Sequence, residues 1–175
     1  MVQQRRTGFT TVELMVVLCV AATLATLAFP SFVTLIRTNR LDVSGELLRA
    51  DLLVARREAI KMNGRVLVCP AGSSPTACGT DYSRWAGGWL VCYDLDSDGA
   101  CDAATPAAPN PILRRGGLDG SLTLSGPDAA VRFNANGTQG NGGNVTFTVR
   151  GNWSGSTAAV GTIAASGNVA LARGA

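Results

Sequence analysis

Hydrophobic and polar positions divide the chain into three stretches with different periods. The first runs from Phe9 to Ile36 and is apolar without a break in period; its one charge is Glu13, and no charged residue lies between Leu14 and Phe29. A bilayer core asks for about 20 apolar residues at 1.5 Å of rise each, so this stretch is long enough to span. The second stretch places apolar residues at Leu41, Leu48, Leu52, Ala55, Ala59 and Met62, with gaps of 7, 4, 3, 4 and 3. That spacing is one face of an α-helix, and Asn63-Gly64 supplies its stop. Phe9 to Met62 therefore reads as one nearly continuous helix, about 80 Å long if straight. Pro30 removes one backbone hydrogen bond within it, and a kink or local melting is expected over residues 26–30.

After Gly64 the period moves toward 2. Short strands are predicted at 65–69, 88–93, 112–115, 121–124, 130–133, 145–150, 160–164 and 169–172, separated by Gly, Pro, Asn and Asp. Val145, Phe147 and Val149 alternate with Thr146 and Thr148, the signature of a strand buried on one face. The fold class is α+β: a long N-terminal helix packed on a mainly antiparallel β-sheet head.

Charge orients the apolar stretch. Arg5 and Arg6 precede it and no basic residue follows until Arg37, which orients the N-terminus toward the cytoplasm and the head outward. A secretory signal peptide also has a basic start and an apolar centre. Here the apolar run lacks a polar, small-residue cleavage region and passes directly into a second helical pattern. Beyond the first eight residues, 13 basic and 12 acidic side chains leave a net charge of +1, too little for global attraction to nucleic acid.

Five cysteines divide into Cys19, within the apolar run, and Cys69, Cys78, Cys92 and Cys101 in the head. Four outside the membrane permit two disulfides in three possible pairings, of which Cys69 with Cys78 and Cys92 with Cys101 is the local choice. Zinc is the rival for four cysteines, but the separations of 9, 14 and 9 contain no CxxC knuckle, and disulfides are favoured. The chain has no histidine, which removes the commonest general base, and no nucleophile motif stands in its place. An enzyme is not expected, and neither is a cofactor.

Glu13 is costly near a membrane unless paired. It belongs to Gly8-Phe9-Thr10-Thr11-Val12-Glu13, preceded by a short basic leader, and this arrangement resembles the class III signal of type IV prepilins. The resemblance implies that a prepilin peptidase cuts between Gly8 and Phe9 and methylates Phe9. Glu13 then becomes the fifth mature residue, able to pair with the ammonium of another subunit and set axial register. Pro30 stands where pilins commonly have a proline. GFTTVELMVVL, LLVARREAIKMNGRVLVC, GGWLVCYD and the late VRFNANGT turn together resemble the FimT and GspH group of minor pilins and pseudopilins.

That resemblance implies a leader at 1–8, a transmembrane segment at 9–36, an amphipathic helix at 37–64 and a β-rich pilin-like head at 65–175. It implies a minor structural subunit of a type IV pilus that helps start or assemble the filament. The alternatives are a GspH-like minor pseudopilin of a type II secretion system and a DNA-binding minor pilin of a DNA-uptake pilus. Major and minor pilins or pseudopilins, the prepilin peptidase and the inner membrane are the implied partners.

Three further groups of residues invite a function. Asp94, Asp96 and Asp98, followed by Gly99, repeat the first half of a calcium loop; Asp102 stands near the ninth position, but Thr105 replaces the glutamate needed at the twelfth. An acidic surface turn is the favoured reading. Arg49, Arg56, Arg57, Lys61 and Arg65 could meet phospholipid or DNA phosphates, or could be the solvated side of a helix laced with acids. FimT-like proteins connected with DNA uptake use basic residues near the C-terminus; here Arg173 is the one charge in that tail, and Asn168 and Ala170 stand where such a motif would place arginines. Trp85, Trp89 and Trp153 are read as core or interface anchors rather than stacking platforms.

Overall fold

Among the described residues, eight strands follow one α-helix. The computed structural model describes residues 8–174, with 27, 28 and 30 by backbone alone. Helix α1 spans Thr11–Met62, and the strands are β1 (Arg65–Pro70), β2 (Trp89–Asp94), β3 (Leu113–Arg114), β4 (Leu122–Ser125), β5 (Val131–Phe133), β6 (Val145–Gly151), β7 (Ala158–Ile163) and β8 (Val169–Arg173). Residues up to Arg37 form one compact unit and residues from Thr38 onward another.

Within the second unit the predicted stripe on α1 is the helix's buried face. Leu41, Leu48, Leu52, Ala55 and Ala59 are 0–3% exposed, and each buried leucine contributes roughly 1.5–3 kcal/mol. Gly45 is buried on the same face, where a Cβ would meet Ala159 and Leu171 at 3.4 Å, so its lack of a side chain lets the helix approach the sheet. The helix ends in a left-handed Asn63 (φ 48°). The N–H of Asn63 donates to the Ile60 carbonyl and that of Gly64 to the Ala59 carbonyl, the two bonds of a Schellman stop.

The strands form two antiparallel four-stranded sheets, one in the order β3-β2-β1-β5 and the other β4-β6-β7-β8. In the first, Val66 pairs with Tyr93 and Val68 with Val91. These residues share one core with the α1 stripe and with Leu122, Leu124, Phe147, Val149 and Ile163 of the second sheet. The opposite face of the first sheet is buried as well: Leu67, Cys69, Leu90 and Cys92 form a second, smaller cluster. The second sheet alternates instead, with β6 buried at Val145, Phe147 and Val149 and open at Thr146 and Arg150.

The α+β expectation holds, and all eight predicted strands are present, with ends displaced by up to two residues. Of the two outcomes expected at Pro30, local melting does not occur. The helix continues through position 30, so residues 26–30 are not melted. Proline removes a single i→i−4 bond, and the helical hydrogen bonds on either side of it carry the chain through.

Candidate functional site

The described chain begins at Gly8 and Phe9, the two residues flanking the expected cut; the basic leader with Arg5 and Arg6 lies outside the described residues. Thr10 and Glu13 form a reciprocal capping box. The Thr10 backbone N–H and hydroxyl both donate to Glu13 Oε2, at 3.0 and 2.9 Å, while the Glu13 backbone N–H donates to Thr10 Oγ1 at 3.2 Å. Glu13 thus fixes the first turn of α1 in addition to any role between subunits. The S/T-x-x-E pattern of Thr10-Thr11-Val12-Glu13 is the local sequence signal of this box. Beyond it the helix shows its apolar residues outward: Val12, Met15, Val16, Leu18, Leu24, Phe29, Phe32 and Leu35 are all more than half exposed. One helix in the described chain is long and apolar enough to cross a membrane.

Cys69 is bonded to Cys78 and Cys92 to Cys101, the local pairing, with Cα–Cα distances of 5.6 and 5.5 Å. The strands explain why these four meet. Cys69 lies opposite Leu90 and Cys92 opposite Leu67, so both cysteines project from the same face of the first sheet. Cys78 and Cys101 come down on them from two loops, with their sulfurs 3.6 Å apart. The bridges hold those loops over Leu67 and Leu90 and close the second cluster. All four sulfurs lie within 4.8 Å of one another, but they are consumed in pairs. Cys19 is free and exposed on the apolar half of α1.

The acidic loop brings carboxylate oxygens of Asp94, Asp96 and Asp102 within 4.8 Å of one another. Asp98 does not join them; its Oδ1 accepts from the Ala100 N–H at 2.7 Å. Asp94 is fully buried, which pushes its pKa up, against the lowering effects of the Gly99 N–H and the Arg65 guanidinium. Arg65 donates to Asp94 at 3.4 Å and to the Ser97 carbonyl at 3.1 Å, so the loop carries a cationic partner from β1. Asp102 accepts from the Leu95 N–H, and Thr105 at the twelfth position closes its own turn with Ala108. These bonds build an acidic turn.

Most of the candidate phosphate-binding cations are engaged within the head. Arg49 pairs with Glu46 and Lys61 with Glu58, while Arg173 pairs with Asp42. Arg56 donates to the carbonyls of Gly137 and Ser166 at 2.9 and 3.2 Å, pinning two turns to the helix. The Arg57 side chain makes no hydrogen bond or ion pair among the described residues, acting on Glu58 by its charge alone. Trp85 and Trp89 are completely buried, Trp85 edge-on to Phe147 at 4.8 Å, and Trp153 lies on the backbone of Gly151.

Two polar links between helix and sheet join residues far apart in the sequence. Asp51, 2% exposed, accepts two bonds from Arg115 at 2.8 Å each and one from Trp89 Nε1 at 2.9 Å. Its signal was a carboxylate inside the apolar stripe, three residues after Leu48 and four before Ala55. Tyr93 donates its hydroxyl to Glu58 at 2.7 Å. Burial and that carboxylate push the Tyr93 pKa up to about 12, and the tyrosine hydroxyl draws the Glu58 pKa down.

The family described as type II transport protein GspH matches residues 44–167, more than half of the chain. Crystal structures of the Pseudomonas aeruginosa type IV minor pilin FimU in two crystal forms are 21% identical, with TM-scores of 0.56 and 0.54; they cover 77% and 75% of this chain and 89% and 92% of their own. The minor pseudopilin EpsH of the Vibrio cholerae type 2 secretion system is 13% identical with a TM-score of 0.52, over 76% of this chain and 96% of its own. At these identities the likeness is one of fold. No curated protein sequence matches the chain.

Proposed function

We propose, from the premise that the chain belongs to the GspH family of type II transport proteins, that it is a minor subunit of a filament built on the type IV pilin plan. That filament is a type IV pilus or the pseudopilus of a type II secretion system, and the subunit helps to start or cap it. Its role is structural and not enzymatic. The observation that carries the proposal is the outward-facing apolar half of α1, which precedes a GspH-type head and requires lipid or neighbouring helices to cover it.

On this reading prepilin peptidase cuts between Gly8 and Phe9 and the apolar segment holds the chain in the inner membrane. The head then faces the periplasm, where an oxidising environment suits the two disulfides. Major and minor pilins or pseudopilins extract the subunit by packing against its helix. Glu13 supplies the charge that pairs with the N-terminal ammonium of a neighbour, a costly group near lipid that pairing converts into a register mark.

The capping box makes the test sharper than an alanine substitution alone. Glu13→Gln keeps the capacity to cap Thr10 and removes the charge, whereas Glu13→Ala removes both. If charge pairing sets register, both variants are lost from assembled filaments while remaining in the membrane. If Glu13→Gln assembles like the native chain and only Glu13→Ala fails, Glu13 is a helix cap and not a register mark. Recovery of the native chain in sheared extracellular fibres indicates a pilus, and its confinement to the envelope of piliated cells a pseudopilus.

A further inference from the structure

The head has four sheet edges, and they are treated differently. At the β5 edge the chain folds back: Gly140 N–H donates to the Arg132 carbonyl, and the Asn141 side chain accepts from Arg132 N–H and donates to the Ala130 carbonyl. At the other end of that sheet, β3 is only two residues long. The β4 edge lies against the single 3-10 turn Trp85–Gly87. The fourth edge, β8, runs for five residues without a cover among the described residues.

Its hydrogen-bonding pattern can be assigned residue by residue. Gly174 N–H donates to the Ala158 carbonyl and Ala164 N–H to the Asn168 carbonyl, at the two ends of a ladder in which Thr162 faces Ala170 and Val160 faces Ala172. Even-numbered residues of β8 therefore bond to β7, and the N–H and C=O groups of Val169, Leu171 and Arg173 point away from it. None of these groups makes a hydrogen bond among the described residues. Proteins usually blunt such an edge with proline, a bulge or outward lysines. The sequence here is Val-Ala-Leu-Ala-Arg, and the one charge is folded back onto Asp42.

We infer that β8 is an assembly edge that accepts an extended segment of a neighbouring subunit as a ninth strand, an inference that rests on the filament reading above. A row of unpaired backbone donors and acceptors is matched only by another extended backbone, which supplies main-chain bonds while side-chain pockets supply selectivity. A groove of about 200 Å³ opens beside the strand, lined by Asp42, Glu46, Leu171 and Arg173 among others. Both carboxylates already hold arginines of this chain, Glu46 with Arg49 and Asp42 with Arg173, so the groove meets the incoming strand with paired charges and the partly buried side chain of Leu171. Ala170 and Ala172 on the opposite face are small and exposed, so nothing there obstructs the approach.

The N–H of Arg173 points out of the ladder, so Arg173→Pro removes one docking donor and places a ring in the path of a ninth strand without breaking a β7–β8 bond. Arg173→Ala controls for the lost ion pair with Asp42. Both full-length variants are expressed in cells lacking the native copy. Incorporation is read by quantitative mass spectrometry of the assembled fraction, and head integrity by thermal melting of the detergent-solubilised chain. The expected result is a loss of incorporation of about tenfold or more for Arg173→Pro with melting like that of Arg173→Ala, and near-native incorporation for Arg173→Ala. Equal incorporation of the two overturns the inference. A native control that never enters a filament overturns the filament reading instead. Should Arg173→Pro alter melting, Ala170→Lys with Ala172→Lys puts the charge that blunts natural edges on the exposed face of the strand, away from the core; its normal incorporation would also overturn the docking edge.

Discussion

The two sheets of the head solve the same burial problem in opposite ways. The β3-β2-β1-β5 sheet is covered on both sides, by the helix-facing core on one and by two disulfide-pinned loops on the other. Its central strands are accordingly apolar at nearly every position and buried throughout β2. The β4-β6-β7-β8 sheet is covered on one side, alternates in and out along β6, and ends in an open strand. The first sheet is closed by covalent bonds; the second keeps surface and backbone groups available. On the proposed reading, of a subunit that folds in an oxidising compartment and then joins neighbours, the closed sheet supplies stability and the open one supplies contacts.

The largest break in this contrast comes from the bridges. Replacing Cys69, Cys78, Cys92 and Cys101 together by serine is expected to cost about 5 kcal/mol, since each nine-residue separation contributes about 2.5 kcal/mol by loop-closure entropy. Urea unfolding of the detergent-solubilised chain, followed by the near-ultraviolet signal of buried Trp85 and Trp89, measures it. Thr162→Ala, on the outer side of the open sheet, is expected to stay within about 0.5 kcal/mol. Similar losses for the two would erase the distinction between the sheets.

Next in size is the link from α1 to the closed sheet. Asp51→Ala leaves the Trp89 indole N–H and one side of the Arg115 guanidinium without an acceptor, and should destabilise the head by about 3 kcal/mol. A double-mutant cycle with Arg115→Ala should return a coupling above about 1 kcal/mol. Additive losses would mean that the pair is incidental.

The smallest effect is a pH dependence. Tyr93 has a folded pKa of about 12 against about 10 when unfolded. A raised folded value means that the folded state holds the proton more tightly. Stability from this source is fully present below pH ~10 and is lost as pH rises through ~12. Tyr93→Phe should cost about 1 kcal/mol at neutral pH and flatten that alkaline slope. Glu58, whose folded pKa is lowered, contributes stability above its ordinary value that is lost as pH falls through the folded value. An unchanged alkaline slope in Tyr93→Phe would assign the loss to other groups.

Local pattern carried much of this architecture. The stripe from Leu41 to Ala59, the Asn63-Gly64 stop and the eight strands were legible because each follows from the period of a few neighbouring residues. The local disulfide pairing was legible as a choice among three, and the strand register supplies its reason. What the sequence did not disclose depends on distant partners. Nothing near Val131 indicates that β5 joins β1 across more than sixty residues, and nothing near Leu122 that β4 lies beside β6. The Asp51–Arg115–Trp89 link needs three segments at once, although a carboxylate in an apolar stripe was a visible anomaly. The cations from Arg49 to Arg65 could be seen as a cluster, but which were already engaged depended on carbonyls as far away as Gly137 and Ser166.

The central claim is that the exposed apolar half of α1 is an assembly anchor matured at its own N-terminus. The direct measurement is mass spectrometry of filaments sheared from native cells and of the matching envelope fraction, looking for an N-terminal peptide that begins at Phe9 and carries one methyl group. The account predicts that peptide in an assembled fraction, at low ratio to a major subunit. Finding only chain that retains residues 1–8, in membranes and never in an assembly, would contradict it.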